Sequence, residues 1–599
     1  MKQIAFFYTH VKPVKRFLLI LFIITGCAAS PSQKSKIIQD PHETHVAIFS
    51  PDTISELIQQ KIMRISGKKR FAHRSEFNLG ISAMPSFYLQ RKFSPAWMGE
   101  NGGVLLADDL LEEIKDCKKH ALTPEYYHIK AIETLLNTVR DPHHIPSLMY
   151  QDIAADLDIL LTNTFLLFSS HLLFGLVDPE TVHIKGESFD ADIDLAGVLN
   201  NALKDHTIRK TLQNLSPHHQ EYLNLQSALK TYRELAEKNE SPRIPVGETL
   251  RYGVSHERVR RLRNRLIFLG DLKATKIKNP NYFDADLEKA VKRFQFRHGL
   301  TMDGLAGHQT VAALNIPVRK KLRQIELNME RWRWLPRDLG TKHILVNIPN
   351  FKLSVVERSR PIMEMRVVAG KRYRKTPVFS GNMQFLVINP FWNIPTKLAV
   401  RDLAPRVCLD PSYLTAKNIK VYKNWRNDSP EIDPALISWC TLTRKSYFPY
   451  KLQQTSGPHN LLGKIKFIFP NKYAVYLHDT PDKSLFDKTL RDFSSGCIRV
   501  EKPDLLAQFL LKSDPHWTEE AFLDLLKSSA RKVISLNEHV PVHLVYITAW
   551  VDNNGGVHFI KDVYRQDRRL ANALKKRPYQ LCKLIIDDGT YFSDDLLVF

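Results

Sequence analysis

The chain has 599 residues, of which 43% are hydrophobic and 25% are charged. This apolar content is enough for several cores, so we expect three or more domains. The formal net charge is +23, which suits an anionic partner, although a basic surface without a specific partner would give the same value. Nucleic acid is the usual alternative for such a charge, but the chain has no nucleic-acid-binding motif and its first residues resemble an export signal.

The first predicted element is this export signal. Lys12, Lys15 and Arg16 precede an apolar run over 17–24 that is too short to span a bilayer and has the length of a signal core. The run ends in a segment, TGCA at 25–28, that resembles a bacterial lipoprotein cleavage box. We therefore predict a signal peptide over 1–26, a lipidated Cys27 and a lipid anchor in the periplasmic face of the outer membrane. The alternative is cleavage near Ala29, which would give a soluble periplasmic protein.

The next segments predict a tether and then helices. Residues 27–75 are polar and contain scattered prolines, which is typical of a tether, with a short helix near 54–65. Residues 76–250 have apolar residues at helical spacing over 105–120 and 152–174. This region is therefore predicted to be a helical domain.

Residues 256–316 predict a compact helical unit. Asp284 suits the N-cap of an amphipathic helix that runs to His298, and Gly299 suits its end. A second helix is predicted over 308–314. The segment FQFRHGL at 294–300, followed by Asp303, is similar to the three-helix peptidoglycan-binding domain. The resemblance implies that fold. Glycan binding remains one interpretation, and a helical spacer that binds nothing is the other.

The periodicity of the sequence changes near residue 342. Ile344, Val346 and Ile348 alternate with other residues, as in β-strands, and further strands are predicted at 363–368 and 385–388. We therefore predict a multidomain α+β protein with a mostly β domain over 342–565 and a tail over 566–599. Residues 398–455 interrupt the β pattern and are rich in proline, lysine and aromatic residues.

The most specific motif lies within the β domain. The segment SSGCIR occupies 494–499, and His478 stands 19 positions before Cys497. A thiolate can attack a carbonyl while an imidazole takes and returns the proton. Gly496 would let the chain turn tightly, so that backbone N–H groups could face the oxyanion. The motif therefore predicts an acyl-transfer site.

The motif resembles the signature of the L,D-transpeptidases, which have a YkuD-type catalytic domain. Their pattern is a His, a gap, a Ser or Thr, a His, Gly-Cys, and an Arg or Asn two residues later. Ser495 replaces the second His, as in the large Gram-negative YcbB-type members. Further resemblance to that subfamily is carried by VAG at 368–370, NPFWNIP at 389–395, GPHNLLG at 457–463 and, for its scaffold domain, the stretch from FY at 87–88 to PAW at 95–97.

The resemblance implies roles for the catalytic residues. Cys497 would be the nucleophile and His478 the general base and later acid. The backbone carbonyl of Asp479 would orient the imidazole, and the N–H groups of Gly496 and Cys497 are candidates for the oxyanion hole. No HExxH or paired Cys/His spacing is present, so no metal or cofactor is expected.

The resemblance also implies binding residues and a lid. Arg499 would bind a substrate carboxylate, with a structural ion pair as the alternative. Ser494 and Ser495 would bind substrate or stabilise the turn. Asn460 and Trp392 are candidates for the groove wall, and a core role is the alternative for Trp392. The insertion over 398–455 would be a lid that covers the substrate, rather than a surface insertion without a gating role.

The implied partner is peptidoglycan, in the form of tetrapeptide stems that end in diaminopimelate–D-Ala, and cell-wall synthases are candidate protein partners. The implied product is a 3→3 cross-link formed through a thioester. Two other functions remain open. Water as the acyl acceptor would give a carboxypeptidase, and a protein without activity would anchor the envelope to the wall.

Four cysteines remain besides Cys27 and Cys497. Cys408 and Cys440 lie in one segment and are candidates for a disulfide, while free buried thiols are the alternative. Cys117 and Cys582 have no assigned role. Cys497 should remain unpaired, because a disulfide would remove the nucleophile.

Overall fold

The computed structural model describes residues 49–66, 79–99, 101–143, 145–182, 193–240, 242–442 and 447–575. The signal peptide and Cys27 lie outside these residues, as do Cys582 and the tether apart from residues 49–66, so these remain predictions. The described residues form a helical N-terminal region, a second helical unit and a mostly β domain, which confirms the predicted α+β class.

The N-terminal region packs its helices around one long central helix. Its helices are α1 (Pro51–Ser66), α2 (Leu79–Gln90), α3 (Ala107–Lys115), α4 (Ile129–Arg140), α5 (Ser147–Phe174), α6 (Pro179–Val182), α7 (Leu195–Lys204), α8 (Ile208–Leu215) and α9 (Gln220–Glu237). Helix α5 is buried along most of its length and forms much of the core. The predicted apolar stretch at 152–174 therefore belongs to a helix that begins five residues earlier.

Helix α5 is long and apolar enough to cross a membrane by length and composition, which the sequence analysis did not anticipate. However, 94% of its most apolar window is buried inside the protein. Asp158 within this helix accepts hydrogen bonds from Tyr88 Oη (2.7 Å) and the Trp97 N–H (2.8 Å). These contacts make it the core helix of the region.

The second helical unit follows the predicted pattern closely. Its helices are α10 (Glu257–Phe268), α11 (Ala285–Arg297) and α12 (His308–Leu314). The Asp284 side chain accepts from the Leu287 N–H at 2.8 Å, and Gly299 ends α11 with a positive φ of 59°. Both predicted helix ends are therefore confirmed, since a carboxylate satisfies a free N–H and glycine tolerates left-handed backbone.

Helix α13 (Val318–Arg333) joins the helical regions to the β domain. Its buried Glu330 accepts from the Val177 N–H (2.8 Å) and pairs with Arg333 (2.7 Å). Lys321, also buried, is 3.0 Å from His298 Nε2. Apolar residues of α9, α11, α13 and the end of the β domain share one core. The junction is thus a packed interior rather than a flexible linker.

The β domain is built on a nine-stranded sheet in the order β10-β3-β11-β9-β8-β4-β12-β1-β2, in which β2 also pairs with β3. The strands are β1 (Lys342–Asn347), β2 (Lys352–Glu357), β3 (Arg360–Gly370), β4 (Phe379–Ile388), β8 (Ile465–Ile468), β9 (Leu477–His478), β10 (Asp492–Ser494), β11 (Ile498–Val500) and β12 (Lys532–Val545). The β2–β3 pairing closes eight of them into a barrel-like ring. Helices α17 (Pro503–Leu511) and α18 (Glu519–Lys527) also belong to this domain.

The insertion folds as a unit with its own core. It contains a three-stranded sheet in the order β5-β7-β6, and its elements are β5 (Trp392–Ile394), α14 (Thr396–Leu398), α15 (Ala404–Leu409), α16 (Tyr413–Ala416), β6 (Ile419–Tyr422) and β7 (Lys451–Gln454). Cys408 and Cys440 form a disulfide within it. The disulfide alternative of the sequence analysis is therefore confirmed. Cys117 is a buried free thiol.

The end of the described chain differs from the predicted tail. After a hairpin of β13 (Ala549–Val551) and β14 (Val557–Phe559), residues Gln566–Ala573 form α19. Leu570 of this helix is buried, and Asp567 pairs with Arg331 of α13 at 2.6 Å. The first residues of the predicted tail are therefore part of the folded protein, because an apolar face and an ion pair hold them against α13.

Candidate active site

The turn at 494–497 joins β10 to β11 and carries the candidate nucleophile. Ser494 is buried, and its hydroxyl donates to the Cys497 carbonyl at 2.5 Å and accepts from the Gly496 N–H at 3.1 Å. Gly496 has a φ of 127°, which glycine adopts far more readily than other residues. Ser494 therefore stabilises the turn, and the alternative that it binds substrate is not supported.

Cys497 and His478 project from the same face of the sheet. Strands β9 and β11 run parallel, with Leu477 opposite Ile498 and His478 opposite Arg499. Opposite residues share a face of the sheet, so His478 and Arg499 lie on the same face. Side chains alternate along a strand, so Cys497, two positions before Arg499, lies on that face as well. Cys497 is half-buried and His478 is buried. The register thus places the two residues on one face of neighbouring strands although 19 positions separate them in the chain.

The imidazole of His478 is held by the residue that follows it. Its Nδ1–H donates to the Asp479 carbonyl at 2.5 Å, which leaves Nε2 as the proton acceptor. The carboxylate of Asp479 accepts from the Lys464 N–H (2.8 Å) and from Lys483 Nζ (2.6 Å). As the sequence analysis expects, the carbonyl contacts the imidazole, while the carboxylate fixes the surrounding loops.

The thiol and the imidazole are both uncharged at neutral pH. Burial, followed by the charge of Arg499, lowers the pKa of His478 to about 3. Burial raises the pKa of the Cys497 thiol from its ordinary value of 9.0, although Tyr476 and then Lys466 act in the opposite direction. The resting site therefore holds a neutral thiol beside a neutral imidazole, and proton removal has to accompany attack on the substrate.

Two neighbours of the reactive pair were not identified from the sequence. Tyr476 lies next to Cys497 across the strands, and its ring centroid is 5.7 Å from that of His478. Lys466 on β8 lies opposite His478, with its ammonium 3.9 Å from the centre of the Tyr476 ring. Both favour the thiolate form of Cys497. Tyr476 stands two positions before His478, so strand alternation could have revealed it, whereas the Lys466 register is invisible in the sequence.

Arg499 has no ion pair or hydrogen bond to any residue that the structure describes, and its Nε is buried without a partner. Burial lowers the pKa of this guanidinium, although the charge of Asp482 acts in the opposite direction, and the group remains charged at neutral pH. The structural ion pair considered from the sequence is therefore absent from the described part of the chain. A half-buried guanidinium without a partner suits a substrate carboxylate.

One of the two predicted oxyanion donors is available. The Gly496 N–H is engaged by Ser494, so it does not serve as predicted in this conformation. The Gly496 carbonyl accepts from buried Thr376 Oγ1 at 2.8 Å. Because a trans peptide points its C=O and N–H in opposite directions, this bond turns the Cys497 N–H away from Thr376. Within the described residues nothing accepts from that N–H, so it can bind an oxyanion.

Ser495 links the turn to the insertion. It is exposed, and its hydroxyl accepts from Arg374 at 2.8 Å. Arg374 also binds both carboxylate oxygens of Asp402, at 2.7 and 2.8 Å, and Asp402 lies in the insertion. The Asp402 pKa is lowered, with the two guanidiniums of Arg374 and Arg401 outweighing burial. Ser495 thus belongs to a chain of contacts between the reactive turn and the insertion.

The two predicted groove residues behave differently. Trp392 is half-buried, packs against the core of the insertion and lies close enough to Tyr476 to affect its hydroxyl. It therefore borders the site and also contributes to a core. Asn460 is almost fully buried, and its amide donates to the Pro390 and Thr455 carbonyls at 2.8 and 2.9 Å. The predicted substrate contact of Asn460 is therefore replaced by a structural role, because its donors are already used.

Together these groups can perform acyl transfer. Cys497 supplies a nucleophile, His478 Nε2 a proton acceptor, the Cys497 N–H an oxyanion donor, and Arg499 a cation for an anionic substrate. Asp479 and Thr376 keep this arrangement in place.

Family models match three segments of the chain. Residues 341–517 match the L,D-transpeptidase catalytic domain. Residues 255–314 match the "Putative peptidoglycan binding domain", and residues 82–229 match the scaffold domain. A curated protein of Haemophilus influenzae, named "Putative L,D-transpeptidase", is 38% identical over 267 residues. That match covers 44% of this chain and 53% of the relative, so the chain spans about half the length of this relative.

Two solved structures are similar to parts of the chain. An L,D-transpeptidase from Xylanimonas cellulosilytica has 15% identity and a TM-score of 0.15, and the match covers 51% of this chain and 100% of that one. A "Fused Zn-dependent amidase/peptidase/peptodoglycan-binding domain-containing protein" from Clostridium acetobutylicum has 12% identity and a TM-score of 0.13, with 50% and 99% coverage. At such TM-scores neither structure supports an argument about this chain.

Proposed function

We propose that this chain forms 3→3 cross-links between peptidoglycan stems. The segments that match the L,D-transpeptidase catalytic domain, the scaffold domain and the peptidoglycan-binding domain support this proposal. The observation that carries the proposal is the site itself. Cys497 shares a sheet face with an oriented His478, and among the described residues its own N–H has no acceptor and Arg499 has no ion pair. Each of these groups has a task in acyl transfer to an amine.

In the first half-reaction the donor is a tetrapeptide stem that ends in diaminopimelate–D-Ala. Cys497 Sγ attacks the diaminopimelate carbonyl carbon while His478 Nε2 takes the thiol proton. The Cys497 N–H binds the oxyanion, and Arg499 binds a carboxylate of the stem. The C–N bond to D-Ala then breaks, D-Ala leaves with the proton from His478, and a thioester remains.

In the second half-reaction the side-chain amine of another diaminopimelate attacks the thioester carbonyl. A C–N bond forms, the C–S bond breaks, and His478 transfers the proton from the amine to the departing sulfur. Water in place of the amine would release a tripeptide and make the enzyme a carboxypeptidase. Exclusion of water therefore decides the outcome, and the insertion with Trp392 at the border of the site is positioned to provide it.

The proposed function can be tested by intact-protein mass spectrometry after incubation with a carbapenem. Wild type is expected to gain the mass of one drug molecule, and Cys497→Ala is expected to gain none. Cys117→Ala is the matched control, because Cys117 is a buried free thiol outside the site whose pKa is raised to about 12 by burial. This variant should be acylated like wild type.

The same proteins are then incubated with purified disaccharide tetrapeptides, and the products are separated by liquid chromatography. Cross-linked dimers together with free D-Ala would support the transpeptidase. Tripeptides and D-Ala without dimers would identify a carboxypeptidase. A folded wild-type protein with a free thiol that is never acylated would overturn both, and a non-catalytic wall anchor would become the leading function.

A further inference from the structure

A cavity of about 700 Å³ lies beside the reactive turn, outside the site described above. One wall is the loop between β3 and β4, and the other is the start of α19. Its lining includes five cationic residues and no carboxylate: Arg372, Lys375, Arg565, Arg568 and Arg569. Its volume falls in the usual range for small-ligand sites, about 300–1,000 Å³.

The described part of the chain supplies few counter-charges to the cations around this cavity. Within the described residues, no carboxylate forms an ion pair with Arg372, Arg565, Arg568 or Arg569. Lys375 Nζ donates to the Tyr564 carbonyl at 3.2 Å. Burial, followed by the charges of Arg569 and Arg372, lowers the pKa of Lys375, although the carboxylate of Asp562 acts in the opposite direction. Like charges held close together repel, so an anionic ligand would relieve an unfavourable arrangement.

The cavity and the reactive turn share a wall. Thr376 lines the cavity and donates to the Gly496 carbonyl, one residue before the nucleophile. Consecutive Cα atoms are about 3.8 Å apart, so this wall lies within roughly 10 Å of Cys497. Cys497, His478 and Arg499 do not line the cavity. A ligand there would therefore lie close to the reactive turn, on its Thr376 side, without occupying the position of the donor stem.

We propose, resting on the function proposed above, that this cavity binds the carboxylates of the acceptor stem peptide. A transpeptidase has to hold two stems at once, and both carry several carboxylates. Arg499 provides the cation for the donor, and the cavity provides a separate group of cations on another side of the turn. Guanidinium groups bind carboxylates through two parallel hydrogen bonds, which would fix the acceptor as well as attract it. Carboxylate capture here would bring the acceptor amine to the thioester ahead of water.

The proposal separates acylation from cross-linking, so the test measures both in the same reaction. Full-length protein is incubated with disaccharide tetrapeptides, and dimers, tripeptides and free D-Ala are quantified. In Arg568→Glu/Arg569→Glu we expect the ratio of dimers to tripeptides to fall about tenfold or more, which corresponds to the loss of one charge-assisted hydrogen bond or more. Release of D-Ala should change by less than about twofold, because the donor site is intact.

The matched control is Arg358→Glu/Arg360→Glu, which changes the net charge equally. These exposed residues lie at the opposite end of β3 from the cavity, about 30 Å away at roughly 3.3 Å per residue. The control should keep the wild-type ratio of products. If Arg568→Glu/Arg569→Glu fails to fold, Arg372→Glu on the other wall of the cavity replaces it with the same expectation.

A second arm identifies the groups that are bound. With wild type, an acceptor whose carboxylates have been amidated should be cross-linked about tenfold less than the native acceptor. With Arg568→Glu/Arg569→Glu, the amidated and native acceptors should be cross-linked equally poorly. An unchanged ratio of dimers to tripeptides in that variant would overturn the acceptor site. Absence of D-Ala release and of carbapenem acylation in wild type would instead overturn the proposed function, so the two failures are distinguishable.

Discussion

Five arginines of the helical junction differ from four arginines near the reactive turn in whether a carboxylate pairs with them. The five at the junction are paired: Arg263 with Asp284, Arg265 with Glu240, Arg297 with Asp271, Arg331 with Asp567 and Arg333 with Glu330. Arg374 beside the turn is paired as well, with Asp402 of the insertion. Around the reactive turn, Arg499, Arg372, Arg568 and Arg569 have no such partner in the described part of the chain. Paired buried cations hold domains together, whereas unpaired cations remain available to a ligand.

Breaking a junction pair should have the largest effect on stability. Arg333→Met leaves Glu330 buried without its cation, which typically costs about 3–5 kcal/mol of unfolding free energy. Urea unfolding followed by circular dichroism measures this. The control is Arg426→Met, which removes an ion pair with Asp428 whose side chains are 77% and 72% exposed, and it should cost less than about 1 kcal/mol. Equal losses in the two variants would contradict the distinction.

Removing the unpaired cation of the site should affect catalysis rather than stability. Arg499→Gln is expected to lower kcat/KM for stem peptides about 10- to 100-fold, the effect of losing about 1.5–3 kcal/mol of charge-assisted hydrogen bonding. Its unfolding midpoint should stay within the experimental error of wild type, since the guanidinium has no described partner. Arg499→Lys should recover part of the activity. A destabilised variant with unchanged kcat/KM would instead favour the structural ion pair.

Lys321 differs from these arginines, because it is buried without an ion-paired carboxylate among the described residues, and its effect on stability should depend on pH. It is buried beside His298 and the rings of Phe294 and Phe559, and burial lowers its pKa to about 7. Between pH 7 and its ordinary pKa of 10.5, the unfolded chain binds a proton that the folded chain has lost. Stability from this group therefore rises with pH across that window, by at most about 1.4 kcal/mol per pH unit.

In Lys321→Met this contribution disappears. The unfolding free energy of the variant minus that of wild type should therefore fall as pH rises from 7 to 9, because only wild type gains stability from this group. Well below pH 7 both states bind the Lys321 proton, so this group adds no further pH dependence there. Measurements in urea at several pH values test this. A difference that does not depend on pH between 7 and 9 would contradict a neutral folded lysine.

The features that could be predicted from the sequence are those that depend on residues close together in the chain. Asp284 caps its helix and Gly299 ends it, because capping needs only residues a few positions apart. The L,D-transpeptidase resemblance is confirmed by the family models, and it rested on short motifs around His478 and Cys497. The orienting carbonyl of Asp479 was expected from the same resemblance, and the structure has this contact.

Features that depend on strand register or burial were not predictable. Lys466 reaches the site because strands β8 and β9 pair in a register that puts Lys466 opposite His478. No pattern in the sequence predicts that pairing. Asn460 was a candidate for the groove wall and Ser494 for either the substrate or the turn, but burial directs the donors of both to the backbone. The Cys408–Cys440 disulfide stayed undecided, because a spacing of 32 residues does not fix the distance between two side chains.

The raised pKa of Cys497 has a consequence for survival in an oxidising environment. Peroxides and disulfides react with thiolates, and this thiol is mostly protonated at neutral pH because burial disfavours its charge. The same domain contains a cysteine pair that has been oxidised to a disulfide. The fold thus holds two kinds of cysteine: Cys408 and Cys440 are joined in a disulfide, while Cys497 is held as a protonated thiol until His478 accepts its proton during attack on a substrate.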